Sequence, residues 1–307
     1  MLWLFGFGRS LYYYIVILLA DEHHGLIKRL FYGLMHKHIA GSTTASAIKT
    51  VHKVNDKGMR ATVTFLNEHV KSAPKARYNI NAYIQLVKTI SRLSMKSDVS
   101  LRLTQLGYSL NHEIAADGFS EILAAAESSN CRLWLEHENN IEPSELIGFY
   151  KDLMSRSTGI EMPLAYVLEN GHLSREARVL RAVKLTAYGY EAKEGVLKRK
   201  HQKDLFAMYS DAINRLMHAK PALTVLCQDE RLVDRLALAN KGYKRNLTFE
   251  LPLGYNNKRV NMLMKRHINL SAYVAYGKDW LPYAINRLTE GRIRDIAVAI
   301  LDNERVD

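Results

Sequence analysis

Residues 222–253 read ALTVLCQDERLVDRLALANKGYKRNLTFELPL, and the alternation of pattern within them decides the fold class. Residues 222–228 form an aliphatic run of strand length. Residues 230–240 then read as a helix, closed by Lys241-Gly242 as a helix C-terminus often is. Residues 246–253 make a second strand-like run. A strand, a helix and another strand in succession form one unit of a parallel sheet.

Working outward, the same unit recurs along most of the chain. Strand-like runs are expected at 60–65, 98–105, 131–138, 162–168 and 178–186 before this stretch, and at 270–277 after it. Most lack strict alternation of apolar and polar residues, as expected for parallel strands with both faces covered. Helices are expected between them at 76–95, from Pro143 onward, and at 204–218. Proline suits a helix start because its missing N–H costs nothing there. The connectors after Leu168 and Leu253 are shorter, so their helices should be stunted. Eight such runs are the number that closes a barrel. An open doubly wound sheet is the competitor, but no strand is followed by a GxGxxG turn. The fold class is therefore α/β, a (β/α)8 TIM-type barrel over residues 56–307, preceded by an N-terminal helical segment at 1–55.

Composition agrees with one domain carrying a large core. The chain has 307 residues, 48% of them apolar, and no stretch dominated by Gly, Pro or Ser. Lys and Arg number 43 against 31 Asp and Glu, for a net charge of +12. That excess attracts phosphates, anionic lipid heads or acidic small molecules without choosing among them. The basic residues are scattered, and the densest run, 197–203 (LKRKHQK), reads as a solvated helix face. With no groove-reading motif, nucleic acid is not an expected partner. Two cysteines, Cys131 and Cys227, give neither a disulfide framework nor a metal motif and suit a reducing cytoplasm. Residues 1–20 (MLWLFGFGRSLYYYIVILLA) are apolar but broken by Arg9, and 11–20 alone is too short to span a bilayer. A helix packed on the domain is the favoured reading. A peripheral contact at the inner face of the membrane is the other.

In a barrel the chemistry collects where strands end. Polar residues near those ends are Arg102 and Gln105, Glu136 and Glu138, Lys184, Gln228 and Asp229, Glu250, Tyr273 and Tyr276. A charge facing a barrel mouth is costly unless paired, so several together suggest a ligand site. Any one of them alone would more often be an outward or salt-bridged residue.

Several of these strand ends carry recognisable sequence. Residues 65–70 (FLNEHV), 99–107 (VSLRLTQLG), 133–138 (LWLEHE), 181–184 (RAVK), 249–250 (FE) and, above all, 273–290 (YVAYGKDWLPYAINRLTE) resemble successive landmarks of monofunctional proline dehydrogenases. The resemblance extends from about His38 to Glu290 and implies an FAD enzyme on a (β/α)8 barrel. It implies transfer of a hydride from the carbon beside the ring nitrogen of proline to the flavin, giving 1-pyrroline-5-carboxylate, and onward passage of electrons to a quinone or other electron acceptor. It assigns Arg181 to the flavin N5 region and Lys184 to cofactor contact. Leu164 stands where the family has a glutamine and Gln228 where it has a histidine beside the flavin; Glu250 is grouped with these cofactor positions. For the substrate it implies Arg102 in place of a lysine, and Asn286 and Arg287 in place of two arginines. Tyr273 and Tyr283 match the tyrosines lining the proline ring, and Glu290 the glutamate that braces the arginines. Glu136 takes the place of an aspartate. The family's Gly-Ala-Tyr turn appears as Leu185-Thr186-Ala187-Tyr188, one residue longer, with Tyr188 in the substrate-side position.

These departures fall around one site. Arginine to Asn286 removes a charge and a forked donor set, while lysine to Arg102 adds one on the opposite wall. Two functions remain open from the residues. One is a dehydrogenase of proline or a related cyclic amino acid, serving catabolism or a biosynthetic pathway. The other is a barrel without catalysis, re-specialised to bind another cyclic amino acid or a protein partner. No metal is expected, and no residue is singled out as catalytic acid or base.

Overall fold

The computed structural model describes residues 36–67, 70–138, 140–170, 180–187, 205–217, 221–227, 230–240, 247–254, 257–281 and 283. The expected N-terminal stretch 1–20 and the basic run 197–203 lie outside them. Strands and helices alternate in the order α1 (Thr44–Asp56), β1 (Arg60–Phe65), α2 (Ala73–Arg92), β2 (Ser97–Leu101), α3 (His112–Glu127), β3 (Leu133–Leu135), α4 (Pro143–Asp152) and β4 (Thr158–Pro163). They continue through α5 (Leu164–Glu169), β5 (Ala182–Thr186), α6 (Leu205–Met217), β6 (Ala222–Leu226), α7 (Glu230–Asn240), β7 (Leu247–Pro252), α8 (Asn257–Lys265) and β8 (Asn269–Tyr276). The strands form a closed barrel in sequence order. Every neighbouring pair is parallel, and β8 closes on β1 with Thr62 opposite Tyr273. The expected (β/α)8 fold is what the chain adopts.

Alternate strand residues face opposite ways, so each strand serves two cores. Ala61, Val63, Val99, Leu101, Leu133, Leu135 and Ile160 join the shell of helix-facing apolar residues. The other face points into the barrel and is largely polar. Thr62 reaches Glu250 two strands away, which only an inward side chain can do. Helix α1 packs against β8 and β1, the position where a closing helix covers the last seam. Its approach is fixed by Ala40 N–H donating to Ala275 O at 2.7 Å and Gly277 N–H to Gly41 O at 3.0 Å. Gly277, at φ 142°, sits so close to β1's end that a Cβ would lie 2.2 Å from Leu66 O.

Two boundaries differ instructively from the sequence expectation. The fourth strand was expected at 162–168, but β4 is Thr158–Pro163 and the apolar run LAYVLE is helix α5. Pro163 is the last residue of the ladder, opposite Thr186, and stands at the N-cap of the helix with an extended backbone, φ −61° and ψ 133°. Gly159 lies inside the strand because its missing side chain makes room for Trp134, whose ring carbons stand 2.6 and 2.7 Å from where a Cβ would be. The second strand ends at Leu101, four residues early, because Leu103–Leu106 coils into a short 3-10 turn. That turn aims the residues at the barrel mouth.

Candidate active site

Three tiers of polar residues fill the barrel. At the N-terminal end Asp98 accepts from Arg60 at 2.6 Å and from the Trp134 indole N–H at 3.2 Å, so the tryptophan ring lies across the interior. Above it, Lys184 and Glu250 form a wholly buried ion pair at 2.6 Å. The two atoms meet off the axis of a good hydrogen bond. Thr62 donates to the other Glu250 oxygen at 2.5 Å. The Lys184 ammonium also faces two ring systems, Trp134 at 4.9 Å and Tyr273 at 5.6 Å from the centroids. Burial works against its charge, but Glu250, Glu161 and Glu136 outweigh it and hold the ammonium above its usual range.

The third tier is at the C-terminal mouth. Arg102 follows β2 directly, and its Nε donates to Glu136 Oε2 at 2.9 Å. Tyr273 donates to Glu136 Oε1 at 2.5 Å. Glu136 is buried, which alone would raise its pKa, yet Arg102, Lys184 and the Tyr273 hydroxyl hold it below the usual carboxylate value. The Tyr273 phenol is pushed well up by burial and by Glu136 beside it, so it stays a donor. Tyr283 stacks on Tyr273 with centroids 6.2 Å apart and planes at 23°.

A second network fixes Arg102 from behind. Gln105 Oε1 accepts from the Arg102 N–H at 3.1 Å and from Tyr83 OH at 2.6 Å, while its amide donates to Phe65 O at 2.6 Å. Asn79 donates to Gln105 O at 2.9 Å and to Asn67 O at 3.1 Å. Glu138 accepts from the Thr104 N–H at 3.1 Å and from its hydroxyl, clamping the turn to the end of β3. The guanidinium is thus held by a pre-organised frame, as recognition of a small anion requires.

Of the residues named from sequence, Arg102, Glu136, Tyr273 and Tyr283 come together at the mouth, and Lys184 and Glu250 pair beneath them. Leu164 is buried at the start of α5, on the mouth side of β4. Arg181 is not brought in: it precedes β5 at the opposite end of the barrel and is exposed. Tyr188, Gln228, Asn286, Arg287 and Glu290 lie outside the described residues. Among the described residues no group of His, Cys, Asp or Glu could hold a metal ion.

Sequence reasoning missed Glu161, Trp134 and Thr62. Glu161 sits on β4 opposite Lys184, with only 9% of its surface exposed. Burial, then Glu136 and Glu250, push its carboxyl up to about 8 against the pull of Lys184 and Arg102. Reading TGIEMP, residues 158–163, as a strand despite its Gly159 and Pro163 would have revealed it.

No family model matches the sequence. Proline dehydrogenase 2 of Bacillus subtilis is 25% identical over 268 residues, covering 86% of this chain and 88% of that protein. Proline dehydrogenase 1 of the same organism is 23% identical over 258 residues, covering 82% and 85%. Proline dehydrogenase of Deinococcus radiodurans is 21% identical over 278 residues, covering 86% and 88%. Among solved structures, proline utilization A from Bdellovibrio bacteriovorus superposes with a TM-score of 0.74 at 16% identity, over 86% of this chain but 33% of its own. The chain thus spans about a third of that larger protein, and the likeness speaks for the barrel. With relatives matched across most of both chains and a barrel whose mouth gathers Arg102, Glu136, Tyr273 and Tyr283, the chain is similar to proline dehydrogenases over most of their length.

Proposed function

We propose that the chain oxidises L-proline to 1-pyrroline-5-carboxylate, with FAD as the hydride acceptor and a quinone or other acceptor taking the electrons onward. The observation that carries this reading is the chain Tyr273–Glu136–Arg102, a fixed cation beside two stacked aromatic rings. Such a site suits a small ring bearing a carboxylate. The terminal nitrogens of Arg102 form the edge that takes a carboxylate side-on, while Glu136 grips the inner corner at Nε. Tyr273 and Tyr283 offer faces to the apolar ring carbons and exclude water from them.

The donor set also suits a flavin. A fully buried ammonium without a well-aligned acceptor, Lys184, stands beneath the mouth and would favour the electron-rich edge of an isoalloxazine. Glu250 would hold Lys184 in place, and Leu164 would give the ring an apolar wall. Arg181 does not fit the part suggested by resemblance, because it is exposed at the other end of the barrel. When bound, the flavin accepts the hydride; orientation of the ring and placement of charge fall to this chain.

Purified protein loaded with FAD and mixed anaerobically with L-proline tests the reading. Bleaching of the flavin with formation of the cyclic imine is the expected result. A protein that takes up no flavin, or stays yellow with proline, would overturn it.

A further inference from the structure

Arg102 accounts for one end of an amino acid, and the residues assigned by resemblance leave its nitrogen without a partner. We infer that Glu161 binds the ring nitrogen of the substrate and takes a proton from it, an inference that rests on the proline reading above. Glu161 lies on the inward face of β4, between the strands that carry Glu136 and Lys184, and opposite Lys184 in the β4–β5 register. Arg102, Glu136, Glu161 and Lys184 thus come from four consecutive strands or their ends. Among the described residues its carboxyl makes no hydrogen bond or ion pair, although 91% of the residue surface is buried (9% exposed). Lys184 is taken by Glu250, and Arg102 by Glu136.

An acid buried without a partner is destabilising and calls for a reason. A cationic ring nitrogen supplies one, because its N–H groups and charge are what this carboxyl lacks. The groups that face Glu161 are Glu136 from β3, Lys184 from β5, Glu250 from β7 and Arg102 from the end of β2. Together they carry two ionised carboxylates against two cations, so the site is close to neutral until the ligand arrives. Held near 8 in the free protein, Glu161 keeps its proton at neutral pH. A docked ammonium favours the carboxylate, so binding drives that proton out.

The chemistry then balances simply. An N–H bond of the ring ammonium breaks, its electron pair stays on nitrogen, and the proton passes to a Glu161 oxygen. The lone pair so freed forms the C=N bond as hydride leaves the adjacent carbon for the flavin, giving the protonated imine. No further oxidant is needed.

Anaerobic calorimetric titration of the FAD-loaded protein, its flavin reduced beforehand so that proline binds without being oxidised, in buffers of different ionisation enthalpy near pH 7, tests the inference. The ligands are L-proline and its ring-ether isostere, tetrahydrofuran-2-carboxylate, which lacks the N–H. Wild type should release close to one proton with proline and none with the ether. Glu161→Gln should release none with either and should lose about tenfold or more in affinity for proline, with the ether little changed. Equal proton release by wild type and variant, or equal affinities for both ligands, would overturn the role of Glu161 and leave the proline reading standing. Failure of wild type to bind proline at all would overturn both. Proton release by wild type alone needs no variant to fold, so the inference stays exposed to refutation if Glu161→Gln is unstable.

Discussion

Glu161→Gln should make the ligand-free protein more stable, by an amount that grows with pH. The substitution keeps shape and length and removes only the ionisable group. Unfolded, the acid titrates near 4.5; folded, burial and its neighbours raise it to about 8. Between those values the folded state holds a proton that the unfolded state has lost. Stability therefore falls as pH rises through this window and levels off above about 8. At about 1.4 kcal/mol per pH unit the gap sets a ceiling of roughly 5 kcal/mol at the alkaline end. The amide buries about as much polarity as the protonated acid, so the two proteins should be nearly equal near the acidic end. Urea unfolding of both across the window, read by far-UV circular dichroism, gives the difference at each pH. Titrating groups away from the barrel interior are shared and cancel, while Glu136 and Lys184, which interact with Glu161, contribute to the difference. A difference that stays flat with pH would mean that this carboxyl ionises as freely in the barrel as in water, and the reasoning would fail.

Arg102→Ala should raise KM for proline by about 10- to 150-fold, the equivalent of roughly 1.5–3 kcal/mol for a charge-assisted contact; steady-state kinetics with an unchanged KM would show the carboxylate is held elsewhere. Lys184→Met should cost roughly 3–5 kcal/mol in urea unfolding, because it strands Glu250 in the barrel without its cation. Glu250→Gln should cost less, since Glu161 can give up its proton and pair with Lys184; equal losses would contradict the shared network. Gly159→Ala should destabilise by roughly 1–3 kcal/mol, because its methyl meets the Trp134 ring and the indole is pinned by Asp98. A neutral result in thermal melts would mean that the indole has room to move.

The barrel was legible because it depends on patterns that survive in one dimension. The run 60–65 matches β1 end to end, and helix 230–240 matches α7, since an aliphatic run and a helical stripe each report local geometry directly. The mouth was half legible: Arg102, Glu136 and Tyr273 sit at strand ends, where polar residues stand out against apolar runs. Glu161 was hidden by its neighbours. Gly159 and Pro163 read as breakers, yet one serves Trp134 and the other caps α5, and both reasons are tertiary. Arg181 shows the opposite failure. It sits in a motif that resembles the family's, but the strand expected at 178–186 begins only at Ala182, so Arg181 falls one residue before it, at the end of the barrel away from the mouth.

A crystal structure of the FAD-loaded protein with tetrahydrofuran-2-carboxylate puts the whole account at risk in one map. The carboxylate should lie against Arg102, the ring against Tyr273 and Tyr283, and the ring oxygen toward Glu161. A ligand bound elsewhere, or Arg102 turned out of the barrel mouth, would contradict it.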